Sequence, residues 1–329
     1  MLVEGMLRTV PLRNSPAQRS LARRMPGNSW TGSGAAPALC GLLLCMATSG
    51  FAQSHADIQV HGHRGTRGMR PENTLPAFEY AIAAGVDALE LDMAVTKDNV
   101  IVISHDPLLH PPVCSGPVPE AVIHQLTLAE VREWDCGKVQ NPAFPRQQPI
   151  AGTRMPTLDE VFALAPRGKF LFNIETKIFA DRPELTPSPE GFARLVLEIV
   201  RKHHLESRVI LQSFDFRTLA AMKRMAPEIK LAALYEGAAK DFTAIAKESG
   251  AKIVSPDYHL VTPEQVQAAH AAGLEVLPWT PNTPAEWDRL IQAGVDGIIT
   301  DYPADLLMHL GRRSSANAQN GKRRQRFLA

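Results

Sequence analysis

The sequence predicts an α/β fold whose parallel strands close into a barrel, interrupted by one irregular insertion. Three observations predict it. Short apolar runs alternate with helical patterns along most of the chain, which marks repeated strand–helix units and a parallel sheet. Polar residues stand at the C-terminal ends of most of these runs: His63, Asp92, His105, Glu175, Gln212, Trp279 and Asp301. A barrel gathers such ends around one mouth, whereas an open doubly wound sheet spreads them along a crevice. The chain has 329 residues, and a barrel of this kind uses about 250 as one domain.

In chain order, residues 58–62 read as the first strand. Residues 73–84 read as a helix, with Leu75, Phe78 and Ile82 at helical spacing, Asn73 or Thr74 as cap and Gly85 as stop. Strands at 86–93 and 100–104 follow, joined by TKDN, a turn and not a helix. Residues 107–156 break the rhythm. They are rich in Pro, hold Cys114 and Cys136, and contain one helical stretch, LTLAEVREW. They read as an insertion over one end of the fold. Alternation then resumes: helix 158–165, strand 169–175, helix 191–203, strand 209–212, helix 216–225 and strand 230–234. Helix 238–249, strand 253–255, helix 263–272, strand 274–279, helix 284–293 and strand 297–300 complete it. Nine strand candidates compete for eight places, so one lies outside the barrel or is not a strand.

Hydrophobic residues make up 45% of the chain and charged ones 21%, an ordinary globular balance. The net charge of +1 is unevenly spread. Residues 1–52 carry five Arg and one Glu, and residues 312–329 carry six Lys or Arg and no acid, which leaves −9 for residues 53–311. An acidic folded part argues against nucleic-acid binding. Arg19, Arg23 and Arg24 precede an apolar run at 35–47, followed by small residues. The run is too short to span a bilayer and suits a signal peptide ending near Ala52, with Met6 or Met25 as other starts. A buried N-terminal helix and a lipoprotein signal at Cys45 are weaker readings. The expectation is a periplasmic or secreted protein without stable membrane insertion once the signal is removed. Cys40 and Cys45 would leave with it, and Cys114 with Cys136 would form one disulfide in an oxidising compartment. The basic stretch 312–329 reads as a disordered tail.

The chemistry concentrates between residues 61 and 106. Glu90 and Asp92, at i and i+2 on a strand, share a face, while Leu89 and Leu91 take the other. Two carboxylates in a barrel mouth repel unless a cation sits between them. Glu175, ending FNIE, is a third candidate ligand, with Lys177 of the same parity able to neutralise it instead. Oxygen-only ligation suits Ca²⁺ or Mg²⁺. Read alone, these residues fit salt-bridged strand-end acids equally well. His63 and His105 end two strands on either side of the acidic pair, placed to move protons near neutral pH. Arg64 is placed to bind phosphate. Together they point to hydrolysis of a charged ester, a phosphodiester above all. His61-x-His63 also fits the first metal-binding strand of a binuclear amidohydrolase, against which later strand ends offer carboxylates in place of histidines.

The motifs HRG at 63–65, PENT at 71–74, LELDM at 89–93 and HD at 105–106 resemble, in order and spacing, those of the glycerophosphodiester phosphodiesterase family. The resemblance continues through MPTLDEVF, NIETK, QSF, WTPN and GIITDYP and spans roughly residues 57–305. One departure is Asp98-Asn99 where the family has Asp-Gly. The resemblance implies a TIM (β/α)₈ barrel over residues 53–311, with a small cap (107–156) after the third strand. It implies His63 and His105 as general acid and base, in either order, and Glu90, Asp92 and Glu175 as ligands of one divalent cation. It implies Arg64 and Lys177 as phosphate contacts, Glu72 as support from its loop, and Trp279 over the glycerol carbons. The implied substrate is a small glycerophosphodiester, cleaved to glycerol 3-phosphate and an alcohol. The implied route resembles that of phosphatidylinositol phospholipase C: the glycerol 2-hydroxyl attacks phosphorus, and water opens the cyclic ester. Two rivals are a related phospholipase D-like barrel acting on (lyso)phospholipids and a barrel that binds phosphodiesters without turning them over.

Overall fold

The computed structural model describes residues 58–312. The expected targeting segment at 1–52, with Cys40 and Cys45, and residues 313–329 of the basic tail lie outside the described residues. The strands are β1 (Gln59–Gly62), β2 (Ala88–Val95), β3 (Ile101–Ile103), β4 (Leu108–Leu109), β5 (Ala121–Val122) and β6 (Leu171–Thr176). After them come β7 (Val209–Ser213), β8 (Lys230–Tyr235), β9 (Ile253–Pro256), β10 (Glu275–Val276) and β11 (Gly297–Thr300). Eight of them run parallel in the order β10-β9-β8-β7-β6-β2-β1-β11. The two ends meet through a parallel bridge between Trp279 and Ile299, where the Ile299 N–H donates to the Pro278 carbonyl at 3.0 Å. The expected eight-stranded barrel is therefore present.

The ninth candidate, β3, lies outside it. It pairs antiparallel with β2, Met93 opposite Ile103. The cause is the connection: a parallel return needs a dozen or more residues, and the turn supplies only a few. Asn99 adopts φ 61° there, a left-handed conformation that Asn tolerates as Gly does. Three other strands differ from expectation. β2 and β6 each start two residues later, at Ala88 and Leu171, and β10 is only two residues long. Pro278 has no N–H for the ladder, so pairing beyond β10 shrinks to two isolated bridges at Trp279, one to Asp257 and one to Ile299.

The helices on the outside are α1 (Leu75–Ala84), α2 (Leu128–Val131), α3 (Leu158–Phe162), α4 (Pro189–Lys202) and α5 (Phe216–Met225). They continue with α6 (Phe242–Ser249), α7 (Pro263–Ala271), α8 (Pro284–Ala293) and α9 (Pro303–His309). Their starts are set by local chemistry. Thr157 and Glu160 close a capping box at α3, and Thr283 and Glu286 do so at α8. Asp241 caps α6, which leaves residues 238–240 as loop where a helix is expected. At α1 the cap is Thr74, not Asn73. Apart from α2, which packs Val131 into the insertion, the helices turn buried apolar residues to the sheet; on α4 they are Phe192, Val196 and Val200. Burying each such side chain contributes about 1.5–3 kcal/mol.

Between β3 and α3 the chain builds a small separate apolar cluster around Trp134, Ile123, Val131 and Met155. The short pair β4–β5 and a Cys114–Cys136 disulfide, closing a separation of 22 residues, hold it. The expected disulfide is thus formed. Arg312, at the start of the basic stretch, is tied to the barrel floor by Asp87 at 2.7 Å.

Candidate active site

Strand register assembles the site. On β2, Leu89, Leu91 and Met93 pack outward into the core, so Glu90 and Asp92 face the barrel interior. The β2–β6 register sets Asp92 opposite Glu175, and the β6–β7 register sets Glu175 opposite Gln212. The result is a buried group of three carboxylates, Glu90, Asp92 and Glu175, with one oxygen of each within 4.8 Å of the others. It holds no imidazole. His61, raised above as an amidohydrolase-type ligand, lies deeper in the barrel, where its ring contacts Gln59 Oε1 at 3.1 Å and Asn173 Nδ2 at 3.4 Å. That reading is overturned, because the deep layer where His61 sits is separate from the cluster at the strand ends.

Two cations and a loop hold the acids. Lys177 Nζ lies 3.0 Å from Asp92 Oδ1 and 2.6 Å from Glu175 Oε1. Arg64 adopts φ 48°, a conformation unusual for a side chain of its size. There its backbone N–H donates to Glu90 Oε2 at 2.8 Å while its guanidinium reaches Asp92 at 3.3 Å and Glu72 at 2.5 Å. Glu72 also meets Arg67 at 3.2 Å. Asn73, relieved of capping by Thr74, takes φ 56° and clamps Asp92: its Nδ2 donates to Oδ2 at 2.9 Å, and its Oδ1 accepts from the Asp92 N–H at 3.3 Å. Gln212 Nε2 donates to Glu90 Oε1 at 2.8 Å. Glu90 is the carboxylate with no basic side chain against it among these hydrogen bonds.

The charges respond accordingly. Burial and the neighbouring Asp92 push Glu90 well above the ordinary carboxylate range. Burial raises Glu175 to about 7, with Lys177 opposing and Asp92 adding to the rise. Burial works against Asp92 as well, yet Lys177 and Arg64 hold it well below the usual range. Three carboxylates thus share fewer positive charges than they need. The buried all-oxygen donor set fits a hard divalent cation.

Each catalytic candidate histidine has a carboxylate behind it. His63 Nδ1 lies 2.6 Å from Asp301 Oδ1 and His105 Nδ1 2.7 Å from Asp106 Oδ1. Burial works against the Asp301 charge, but His63 holds its pKa low, and the hydrogen bond from His105 lowers Asp106. An ionised carboxylate only accepts, so each Nδ1 carries the proton. Each Nε2 is left for proton transfer. Burial lowers the His63 pKa against the pull of Asp301. Asn282 fixes Asp301 in turn, its Nδ2 donating to Oδ2 at 2.7 Å.

His63, Arg64, Glu90, Asp92, His105, Glu175, Lys177 and Trp279 all line one cavity of about 320 Å³ at the barrel mouth. Glu72 stands behind Arg64 and does not line it. Arg67, Gln212, Phe214 and Glu236 line it too and were not picked out as site residues from sequence. The RGTR spacing at 64–67 was the available sign for Arg67. The Asp of TDYP was the sign for Asp301, which sequence reading left as a strand-end acid without a role. Trp279 is fixed by its Nε1, which donates to the Ser255 carbonyl at 2.9 Å, and meets Phe214 edge to face at 5.6 Å.

The His61 layer has a consequence for stability. Burial lowers its pKa to about 4 from 6.5. In the unfolded chain the imidazole gains its proton as pH falls below 6.5, while the folded one stays neutral until about pH 4. The folded state therefore loses stability over that window, by about 3 kcal/mol in total. In a His61→Gln variant this part of the acid sensitivity is expected to vanish. Urea unfolding of both proteins at pH 7 and pH 4.5 checks it; equal losses on acidification in the two would refute the account.

Residues 63–305 match the sequence profile of the Glycerophosphoryl diester phosphodiesterase family. A glycerophosphodiester phosphodiesterase of Caldanaerobacter subterraneus is 35% identical over 248 residues, 75% of this chain and 96% of that protein. The crystal structure of a Silicibacter pomeroyi protein, provisionally assigned as a glycerophosphoryl diester phosphodiesterase, superposes with a TM-score of 0.72 at 32% identity. It covers 79% of this chain and 95% of that one. An Oleispira antarctica phosphodiesterase, solved with the product sn-glycerol-3-phosphate, superposes with a TM-score of 0.67 over 79% of this chain and all of its own; at 24% identity it speaks for the fold alone.

Proposed function

Because the chain belongs to the glycerophosphoryl diester phosphodiesterase family, we propose that it hydrolyses glycerophosphodiesters to glycerol 3-phosphate and an alcohol. One observation carries the reading. Three clustered carboxylates, two imidazole–carboxylate pairs and the cations Arg64 and Lys177 converge at a single mouth. Glu90, Asp92 and Glu175 would hold one divalent cation, Ca²⁺ or Mg²⁺. When bound, that ion supplies Lewis acidity and offsets phosphate charge.

The chain's own groups do the rest. Arg64 and Lys177 line the cavity, where they bind and orient the phosphoryl oxygens. One of His63 and His105 takes the proton of the attacking glycerol 2-hydroxyl through Nε2, and the other gives a proton to the departing alcohol oxygen. Asp301 and Asp106 keep each ring in the tautomer this exchange requires and stabilise the imidazolium that forms. In the second half the roles reverse, and water opens the cyclic ester. Buried Asp92 and Glu175 hold Lys177 protonated despite its burial, so it stays a phosphate contact and not a base.

An exported location, periplasmic or secreted, belongs to the proposal; the apolar run at 35–47 and the Cys114–Cys136 disulfide support it. The test uses the purified protein and glycerophosphocholine, following glycerol 3-phosphate release. Product should disappear with excess chelator and return with Ca²⁺ or Mg²⁺. Release from micellar lysophospholipid but never from the soluble diester would replace the reading with a lipid-cleaving one. Diester binding without product over hours would replace it with a binding one.

A further inference from the structure

The cavity has two unlike halves. The β1–β2–β6 side carries the acids, Arg64, Lys177 and the histidines. The opposite wall, from β7 to β11, carries Phe214, Leu234, Trp279 and Ile299, with Gln212, Glu236 and Thr280 as its polar members; the Gln212 amide is committed to Glu90 and Asn173. A diester has two arms on one phosphate, so one arm must lie on this second wall. Glycerol suits it poorly. Its hydroxyls need partners, and the Trp279 N–H is already committed to Ser255, leaving only the face of the indole. The charged half offers glycerol the donors and acceptors it needs.

What the second wall offers is aromatic surface and one negative charge. Phe214 is 42% exposed, and its ring stands edge to face with Trp279. Glu236 follows the end of β8 and lines the same cavity. Lys240, the closest basic residue in sequence, pairs with Glu248 at 2.6 Å instead. Among the described residues of this cavity, the other acids are occupied: Glu90, Asp92 and Glu175 form the cluster at its centre. We infer that Phe214, Trp279 and Glu236 form a subsite for a quaternary ammonium head group on the leaving arm of the substrate. Methylated nitrogen presents an apolar surface to rings while its charge draws a carboxylate and the ring faces. A second opening of about 160 Å³, beyond Lys177, shares Phe214. Of its two acids, Asp106 is engaged by His105 and His110 and Glu175 by Lys177, so it offers a cation less.

The inference rests on the diesterase reading above. The test compares kcat/KM for glycerophosphocholine and for its 3,3-dimethylbutyl analogue, in which carbon replaces the ammonium nitrogen at equal shape. The wild type should favour the choline ester by about tenfold. Glu236→Gln and Phe214→Leu should each lower the ratio several-fold, to about two to five, and the double variant should bring it to about one. Both side chains stand at the rim, so the substitutions leave the core untouched. A ratio near one in the wild type, or an unchanged ratio in Glu236→Gln, overturns the subsite and leaves the diesterase standing. Hydrolysis of neither ester by folded, metal-supplied protein overturns the diesterase reading and the subsite with it.

Discussion

Replacing either His63 or His105 with alanine is expected to lower kcat by about 10³-fold, with the fold intact. Both rings project into the cavity, with side-chain exposures of 12% and 37%, so truncation leaves no sealed void in the core. The proton transfers proposed for them have no ready substitute among the neighbours they pair with: Lys177 and Arg64 are cations held by carboxylates, and Asp301 and Asp106 point at the imidazoles. The double variant should be little worse than either single one, because the two act in one proton exchange. An ester with a weakly basic leaving group, such as p-nitrophenol, separates the roles. It should restore turnover to the variant lacking the acid and not to the variant lacking the base. Circular dichroism confirms folding, and a kcat within about tenfold of wild type in either variant would remove that residue from the chemistry.

Much of this site was legible because its parts are local in sequence. Glu90 and Asp92 share a face by the two-residue period of a strand, and His63-Arg64 ends the strand beside them. What was not legible depends on partners brought in by the fold. His63 meets Asp301 across 238 residues, a contact made only when β1 and β11 become neighbours on closure. Asn73 against Asp92 was hidden by a competition between two good caps, which Thr74 wins. The β3 strand read correctly as a strand, but its antiparallel direction follows from the length of one turn, a property of geometry and not of composition. The deep position of His61 shows the limit of motif reading: two histidines two residues apart share a face, yet one sits a layer below the other and meets only amides.

The cluster of carboxylates leads to the second large effect, a loss of metal-supported activity with contrasting consequences for the metal-free protein. Glu90→Gln and Asp92→Asn should each lower turnover by about 10²-fold or more, since each removes a charged oxygen from the ion's donor set. Without metal they should part company. Asp92 is ionised and holds Lys177 and Arg64. Its amide leaves two buried cations short of charge and should cost about 3 kcal/mol of stability. Burial and Asp92 push the Glu90 pKa up, and no basic side chain hydrogen-bonds to it, so a neutral amide there breaks no ion pair. The one conflict is donor against donor at Gln212 Nε2. It is relieved when the Gln212 amide turns over and Asn173, whose Nδ2 now donates to Gln212 Oε1 at 3.0 Å, turns with it so that its unpartnered Oδ1 accepts. Glu90→Gln should therefore unfold in chelator within about 1 kcal/mol of wild type. Adding Ca²⁺ or Mg²⁺ should raise the unfolding midpoint of the wild type and of neither variant. Equal stabilisation of Glu90→Gln by the ion would take Glu90 out of the ligand set. A metal-free Glu90→Gln as unstable as Asp92→Asn would mean that Glu90 is charged in the resting protein, with a counter-charge still to be found.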